Sequence, residues 1–213
     1  PNPICEGQTL TLTSTGGTSY SWSGPGGFVS SMQNPVINNV TTGHSGTYTV
    51  TVTGAGGCNS TATVNVTVNT LPVATAGASP NPVCEGQTLT LTSSGGTSYS
   101  WSGPGGFTSG VQNPVINNVT TGHSGTYNVT VTNAAGCYSI ASVTITVNPQ
   151  PVVTIVPVPA LCTTDPPYTP TGNPPGGTWT FNGTPVSNID PSIYAPGNYT
   201  LTYNYTGANG CSN

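Results

Sequence analysis

The sequence predicts an all-β chain of three tandem β-sandwich modules arranged end to end. Three observations carry this reading. First, a shift of 79 places residues 1–70 of the 213-residue chain on 80–149 without a gap and with 14 mismatches, which is how a repeat architecture announces itself. Second, apolar residues alternate with Thr and Asn at period two, as in Thr9-Leu10-Thr11-Leu12-Thr13 and Tyr48-Thr49-Val50-Thr51-Val52, the pattern of half-buried strands. Third, clusters such as Gly16-Gly17, Gly24-Pro25-Gly26-Gly27 and Gly54-Ala55-Gly56-Gly57 break these runs into short pieces, and no stretch has helical periodicity.

The shift superposes Cys5, Trp22, His44, Tyr48 and Cys58 on Cys84, Trp101, His123, Tyr127 and Cys137. A diverged third copy opens at Cys162 and repeats the pattern through Gly176-Gly177-Thr178-Trp179, Gly197-Asn198-Tyr199-Thr200 and Gly210-Cys211. The predicted modules are residues 1–70, 71–149 and 150–213. About 80 residues per module with short, turn-separated strands fits an immunoglobulin-like sandwich. In that strand order Gly7 to Leu12 opens strand B, and Tyr20-Ser21-Trp22 is strand C. Ser45-Gly46-Thr47-Tyr48 starts strand F at the position of a tyrosine corner, and Cys58 to Val68 is strand G. Strand A of the second module is expected at Pro72-Val73-Ala74-Thr75. On this register the first module lacks strand A and the third stops before strand G, as in a segment of a longer array. The expected core aromatics are Trp22, Trp101 and Trp179 on strand C, and Tyr48, Tyr127 and Tyr199 on strand F.

Composition narrows the function. The chain has no Lys or Arg and only four Asp or Glu. Without cationic groups there is nothing to neutralise phosphates, which excludes nucleic-acid binding, and nothing to attract anionic lipid. Four carboxylates cannot build carboxylate-rich calcium cages. Two histidines are too few for a zinc site in either module. No run of 18 apolar residues is present, so no membrane insertion is expected. No basic leader or initiator Met opens the chain, as in a mature or internal segment. Thr (39), Ser (21) and Asn (21) make up more than a third of the chain. Trypsin-like proteases have no cleavage site in it, and Asn148-Pro149-Gln150-Pro151 favours a stiff joint.

The strings Asn-Pro-Ile-Cys-Glu-Gly-Gln-Thr-Leu, Tyr-Ser-Trp-Ser-Gly-Pro-Gly-Gly-Phe, Gly-Thr-Tyr-Thr-Val-Thr-Val-Thr and Asn-Gly-Cys resemble the tandem Ig-like/PKD-like repeats of very large surface proteins in gliding, Bacteroidetes-type bacteria. The resemblance extends over all three modules. It implies an extracellular, bacterial cell-surface location and a role as stalk, adhesin or filament body. Val50 stands where antibody domains carry the strand F cysteine, and His44 replaces the usual Asp before Ser-Gly-Thr-Tyr, so the inter-sheet disulfide of antibody domains is not expected.

Six cysteines, two per module and without Cys-x-x-Cys spacing, point to disulfides and an oxidising setting. Pairing within modules would give Cys5–Cys58, Cys84–Cys137 and Cys162–Cys211. Cys5 precedes strand B and Cys58 follows the F–G turn, however, so the two belong at opposite ends of a sandwich. A strand such as Gln8 to Ser14 spans roughly 23 Å at ~3.3 Å per residue, whereas a disulfide needs Cα atoms within about 7 Å. In an end-to-end array the A–B end of one module faces the F–G end of the next. The favoured pairing is therefore between modules, Cys5–Cys137 and Cys84–Cys211, with Cys58 and Cys162 pairing outside the segment; the pairing within modules is the alternative.

Reactive or binding sets compete with plainer roles. Glu6, His44 and Ser45, repeated as Glu85, His123 and Ser124, contain the residue types of a nucleophile set. Their tandem repetition at a turn, and their absence from the third module, favour turn stabilisation. Tyr20, Trp22, Phe28 and Tyr48 could form a sugar-stacking platform, but Trp22 and Tyr48 occupy core slots; Phe28 and Phe107 are the better candidates for contacts with a neighbouring module. Outward Thr rows suit exposed strands. An uncharged surface with Lys-free edge strands needs covering, either by covalent glycans on Thr/Ser or by copies of the chain in a fibre. The sequons at Asn39, Asn118 and Asn198 offer further glycan positions. The expected function is a non-enzymatic structural repeat of an extracellular filament or adhesin stalk, without catalytic residues, cofactors or metals. The alternative is a glycan- or surface-binding adhesin module using loop aromatics.

Overall fold

The computed structural model describes residues 2–213; Pro1, where the first module is expected to begin, lies outside the described residues. The first module contains β1 (Ile4–Cys5), β2 (Leu10–Thr11), β3 (Ser19–Gly24), β4 (Phe28–Ser30), β5 (Val36–Ile37), β6 (Gly46–Thr53), β7 (Asn59–Val66) and β8 (Val68–Asn69). The second contains β9 (Thr75–Ser79), β10 (Val83–Cys84), β11 (Leu89–Ser94), β12 (Ser98–Gly103), β13 (Phe107–Ser109), β14 (Val115–Ile116), β15 (Gly125–Thr132), β16 (Tyr138–Ile145) and β17 (Val147–Asn148). The third contains β18 (Thr154–Ile155), β19 (Gly172–Asn173), β20 (Thr178–Phe181), β21 (Thr184–Val186) and β22 (Leu201–Asn204). Among the described residues no helix is long and apolar enough to cross a membrane.

The fold is an immunoglobulin-like β-sandwich, most complete in the second module. One sheet has the order β13-β12-β15-β16 and faces a second of order β14-β11-β9. The chain then crosses between sheets: β9 pairs with β11, whereas β10 pairs in parallel with β17. In the first module the four-stranded sheet β4-β3-β6-β7 is intact, but the facing sheet is only β2-β5. The third module keeps β21-β20-β22 and β18-β19.

Period-two alternation makes the core. Trp101, Tyr127, Val129 and Val131 of one sheet meet Leu89, Leu91 and Ile116 of the other, all buried. Trp22, Tyr48, Val50, Leu10 and Leu12 repeat the arrangement in the first module. Each fully buried large side chain stabilises by roughly 1.5–3 kcal/mol. Trp22 is cross-strand partner to Val50, so the indole lies beside a valine where antibody domains carry the strand F cysteine. The indole N–H groups donate to backbone carbonyls, Trp22 to Gln33 (3.4 Å) and Trp101 to Gln112 (3.1 Å). Tyr48 donates to the His44 carbonyl at 2.9 Å and Tyr127 to that of His123 at 3.0 Å, the tyrosine-corner bond.

Three expectations are corrected. Strand A of the second module runs Thr75–Ser79, three residues beyond the expected start at Pro72. Its small side chains carry no alternating apolar signal, and pairing to β11 sets its place. In the third module Tyr199 is exposed (39%) and Trp179 only half-buried; Phe181, Ile189 and Tyr203 are buried instead. Tyr199 still makes a corner bond, to the Ala195 carbonyl at 2.6 Å, but its ring stacks on Phe181 at the open edge of β22. Phe28 and Phe107, expected at contacts with neighbouring modules, turn to the cores of their own modules. They pack edge-on against Tyr48 and Tyr127 of their own, with ring centroids 5.5 Å apart in both cases.

Candidate functional site: the stapled module junctions

In the second module β15 and β16 are paired from Gly125–Ile145 at one end to Thr132–Tyr138 at the other, about 26 Å at ~3.3 Å per residue. Cys84, on β10 beside Asn148, lies at the first end. Cys137, closing the turn between β15 and β16, lies at the second. The two cysteines of a module are therefore kept apart, and each is bonded to a different neighbour. Cys5 is bonded to Cys137 with Cα atoms 5.7 Å apart, and Cys84 to Cys211 with Cα atoms 5.6 Å apart.

The two sides of the staple are built from recurring turns. On one side the amide of Cys5 donates to Gln8 Oε1 (3.1 Å), that of Cys84 to Gln87 Oε1 (3.3 Å) and that of Cys162 to Asp165 Oδ2 (2.7 Å). On the other side the amides of Gly54, Asn133 and Gly207 donate to the carbonyls of Cys58, Cys137 and Cys211 at 2.8–3.0 Å. Each of these turns places its penultimate glycine, Gly57, Gly136 or Gly210, at φ between +77° and +80°, a left-handed conformation that glycine adopts without a Cβ clash.

Asparagine side chains join the turns to the preceding module. Asn133 Oδ1 accepts from the amides of Ala135 and Cys137, both at 3.0 Å, while its Nδ2 donates to the Thr70 carbonyl at 2.9 Å. At the next junction Asn209 Oδ1 accepts from the Cys211 amide (3.1 Å), and Nδ2 donates to the Pro149 carbonyl (2.9 Å). Thr70 and Pro149 are equivalent under the 79-residue shift, but Asn133 and Asn209 occupy different places in their turns. The same acceptor is thus met from two sequence positions. Asn148 Nδ2 to the Asn209 carbonyl and Asn213 Nδ2 to the Pro151 carbonyl add two bonds at the second junction. Sequence reasoning did not single out these asparagines. Their signal is an Asn within four residues before the cysteine of each paired turn and its absence from Gly54-Ala55-Gly56-Gly57.

Cys58 and Cys162 are free and exposed, yet they sit in the same turns as their bonded equivalents. Glu6, His44 and Ser45 lie near one another without forming a relay. Glu6 Oε1 accepts from the Thr42 amide (3.3 Å), and His44 Nδ1 accepts from the Thr41 amide (3.0 Å). Ser45 Oγ accepts from the Val68 amide at 2.9 Å. The second copy repeats this through His123 on Thr120 and Ser124 on Val147, and Glu85 offers its backbone carbonyl to Gln150. These groups fix the E–F turn and the start of the last strand. Burial raises the phenols of Tyr48 and Tyr127 above their ordinary value. The Ser192 hydroxyl and amide, both donating to Asp190, hold that carboxyl below its ordinary value. Asn39 and Asn118, the first two sequon positions, are exposed and adopt φ of 52° and 51°.

No curated protein matches the chain. Among solved structures, the amphioxus IgVJ-C2 molecule is 21% identical, covering 67% of this chain and 99% of its own, with a TM-score of 0.34. Murine CEACAM1b is 13% identical over 70% and 96%, with a TM-score of 0.38. The N-terminal four Ig domains of Dscam1 isoform 6.9 are 17% identical over 68% and 43%, with a TM-score of 0.31. The family model described as immunoglobulin domain matches residues 2–68 and 71–147. That is well over half of the chain, which therefore belongs to the immunoglobulin domain family.

Proposed function

We propose that the chain is a non-enzymatic structural segment of an extracellular filament or cell-surface stalk, in which sandwich modules follow one another head to tail. The observation that carries this reading is the duplicated junction: the same pair of turns, the same disulfide and the same backbone acceptor occur twice, one module apart. Repeat modules that touch only their neighbours extend length without new architecture, and a cystine at each joint removes the freedom that a Pro-rich linker alone would leave. Disulfides persist in oxidising, extracellular surroundings. The resemblance to repeats of Bacteroidetes-type surface proteins supports a bacterial surface. Cys58 and Cys162, held in staple-type turns, continue the pattern to neighbouring modules or to copies of the chain, and glycans on the Thr- and Ser-rich faces cover the uncharged surface.

Electron microscopy of the chain before and after reduction tests the reading. The oxidised chain is expected as a three-bead rod with a narrow distribution of joint angles that broadens on reduction. Modules folded back on one another, or joints whose angles ignore reduction, would overturn it.

A further inference from the structure

We infer that Asn209 is a self-modifying site, an amide that the backbone nitrogen following it converts to a carboxylate when the second joint opens. The inference does not depend on the stalk reading. It rests on the sequence around this one joint asparagine and on the bonds that hold it.

The three cysteine turns differ in where asparagine stands. They read Gly54-Ala55-Gly56-Gly57, Asn133-Ala134-Ala135-Gly136 and Gly207-Ala208-Asn209-Gly210. Only the last sets an asparagine directly before a glycine, and the chain has one other such pair, Asn182-Gly183. A backbone nitrogen can attack the side-chain amide carbon of the residue before it, because the product is a five-membered ring. A Cβ on the attacking residue crowds that approach, and glycine has none. Ala134 therefore shields Asn133, whereas Gly210 carries no such shield for Asn209. Asn209 and Gly210 are both exposed, so water reaches them.

The chemistry needs water alone. The Gly210 nitrogen gives its proton to hydroxide and bonds to Asn209 Cγ. The Cγ–Nδ2 bond breaks, and ammonia leaves with a proton taken from solvent. Water then opens the ring at either carbonyl. One opening gives aspartate on the original backbone; the other gives isoaspartate, with the backbone rerouted through the side chain. The balance is one amide and one water to one carboxylic acid and one ammonia, with nothing oxidised or reduced.

The closed joint holds the reacting groups apart. The Gly210 amide donates to the Gly207 carbonyl at 3.0 Å. Asn209 Oδ1 accepts from the Cys211 amide at 3.1 Å, and Nδ2 donates to the Pro149 carbonyl at 2.9 Å. Ring closure must break the turn bond and swing the side chain off Pro149. The cystine between Cys84 and Cys211, two residues on, keeps both in place. Once formed, the product cannot restore the joint. A carboxylate has no proton to give the Pro149 carbonyl, and in isoaspartate the carbonyl that accepts from Asn148 Nδ2 at 3.1 Å has left the backbone. Asn182 is the internal standard. It is exposed, its Oδ1 accepts from the Thr200 amide at 2.9 Å, and it lies in the turn between β20 and β21, away from the cystine.

The test incubates the full chain, oxidised and reduced, in mildly alkaline buffer and maps chymotryptic peptides by mass over time. Conversion is read as the mass gain of amide to carboxyl, and isoaspartate by enzymatic methylation. Asn209 is expected to convert about tenfold faster in the reduced chain, because local opening then costs less. Asn182 is expected to convert at the same rate in both states, and Asn133 to stay an amide. A rate at Asn209 that ignores reduction, an equal acceleration at Asn182, or conversion of Asn133 as fast as Asn209 would each overturn the inference. So would an intact Asn209 in a reduced chain whose Asn182 has converted.

Discussion

Tyr127 ties together several constraints on a single side chain. Its ring is fully buried beneath Phe107, and its hydroxyl reaches back four residues to the His123 carbonyl. Tyr127→Phe is expected to cost about 1 kcal/mol, the net worth of one such bond, in denaturant unfolding. The exposed corner of Tyr199 is expected to lose less on the same change. The pH dependence has a definite sign. Burial favours the neutral phenol in the folded state, so the contribution is whole below the unfolded value of 10.0 and disappears as pH rises through the raised folded value. Ultraviolet titration should show Tyr48 and Tyr127 ionising above the ordinary phenol value, with thermal stability falling above about pH 10. Asn133→Ala removes three hydrogen bonds at one junction. Because the site is exposed, a loss of roughly 1 kcal/mol is expected, together with faster exchange at the Ala135 and Cys137 amides.

At the level of elements, the sequence speaks where side chains alternate and is silent where backbone alone decides. Strands β6 and β15 were legible because Tyr, Val and Val recur at period two, and the tyrosine corner because Ser-Gly-Thr-Tyr leads into them, with Gly-Thr-Tyr as their first residues. β9 was misplaced because Ala and Gly give no phase. The parallel pairing of β1 with β8 and of β10 with β17 leaves no local trace, since each involves only two residues per strand. The turns carrying the cysteines were legible in kind, whereas the asparagines that join them to Thr70 and Pro149 were not, because their donors shift between copies. In the third module the repeat match of Gly197-Asn198-Tyr199-Thr200 singled out Tyr199, yet Tyr203, four residues further on, took the interior. Chymotryptic peptide mapping without reduction should recover linked peptides containing Cys5 with Cys137 and Cys84 with Cys211, and alkylation should mark Cys58 and Cys162. A Cys5–Cys58 peptide would contradict this connectivity.

For the whole molecule, the two cystines interlock: the loop closed by Cys5 and Cys137 overlaps the one closed by Cys84 and Cys211. Tension applied at the outer modules thus takes a short cut. It enters at Cys5, crosses to Cys137, runs backward to Cys84 and leaves through Cys211. Only the Cys84–Cys137 segment can pay out, about 190 Å at ~3.6 Å per residue, whereas the reduced polypeptide can lengthen roughly fourfold further. Force spectroscopy in the presence and absence of a reductant should register that difference directly. Such a tether yields in its middle module alone, and it reaches its covalent limit while most of its residues are still shielded from the load.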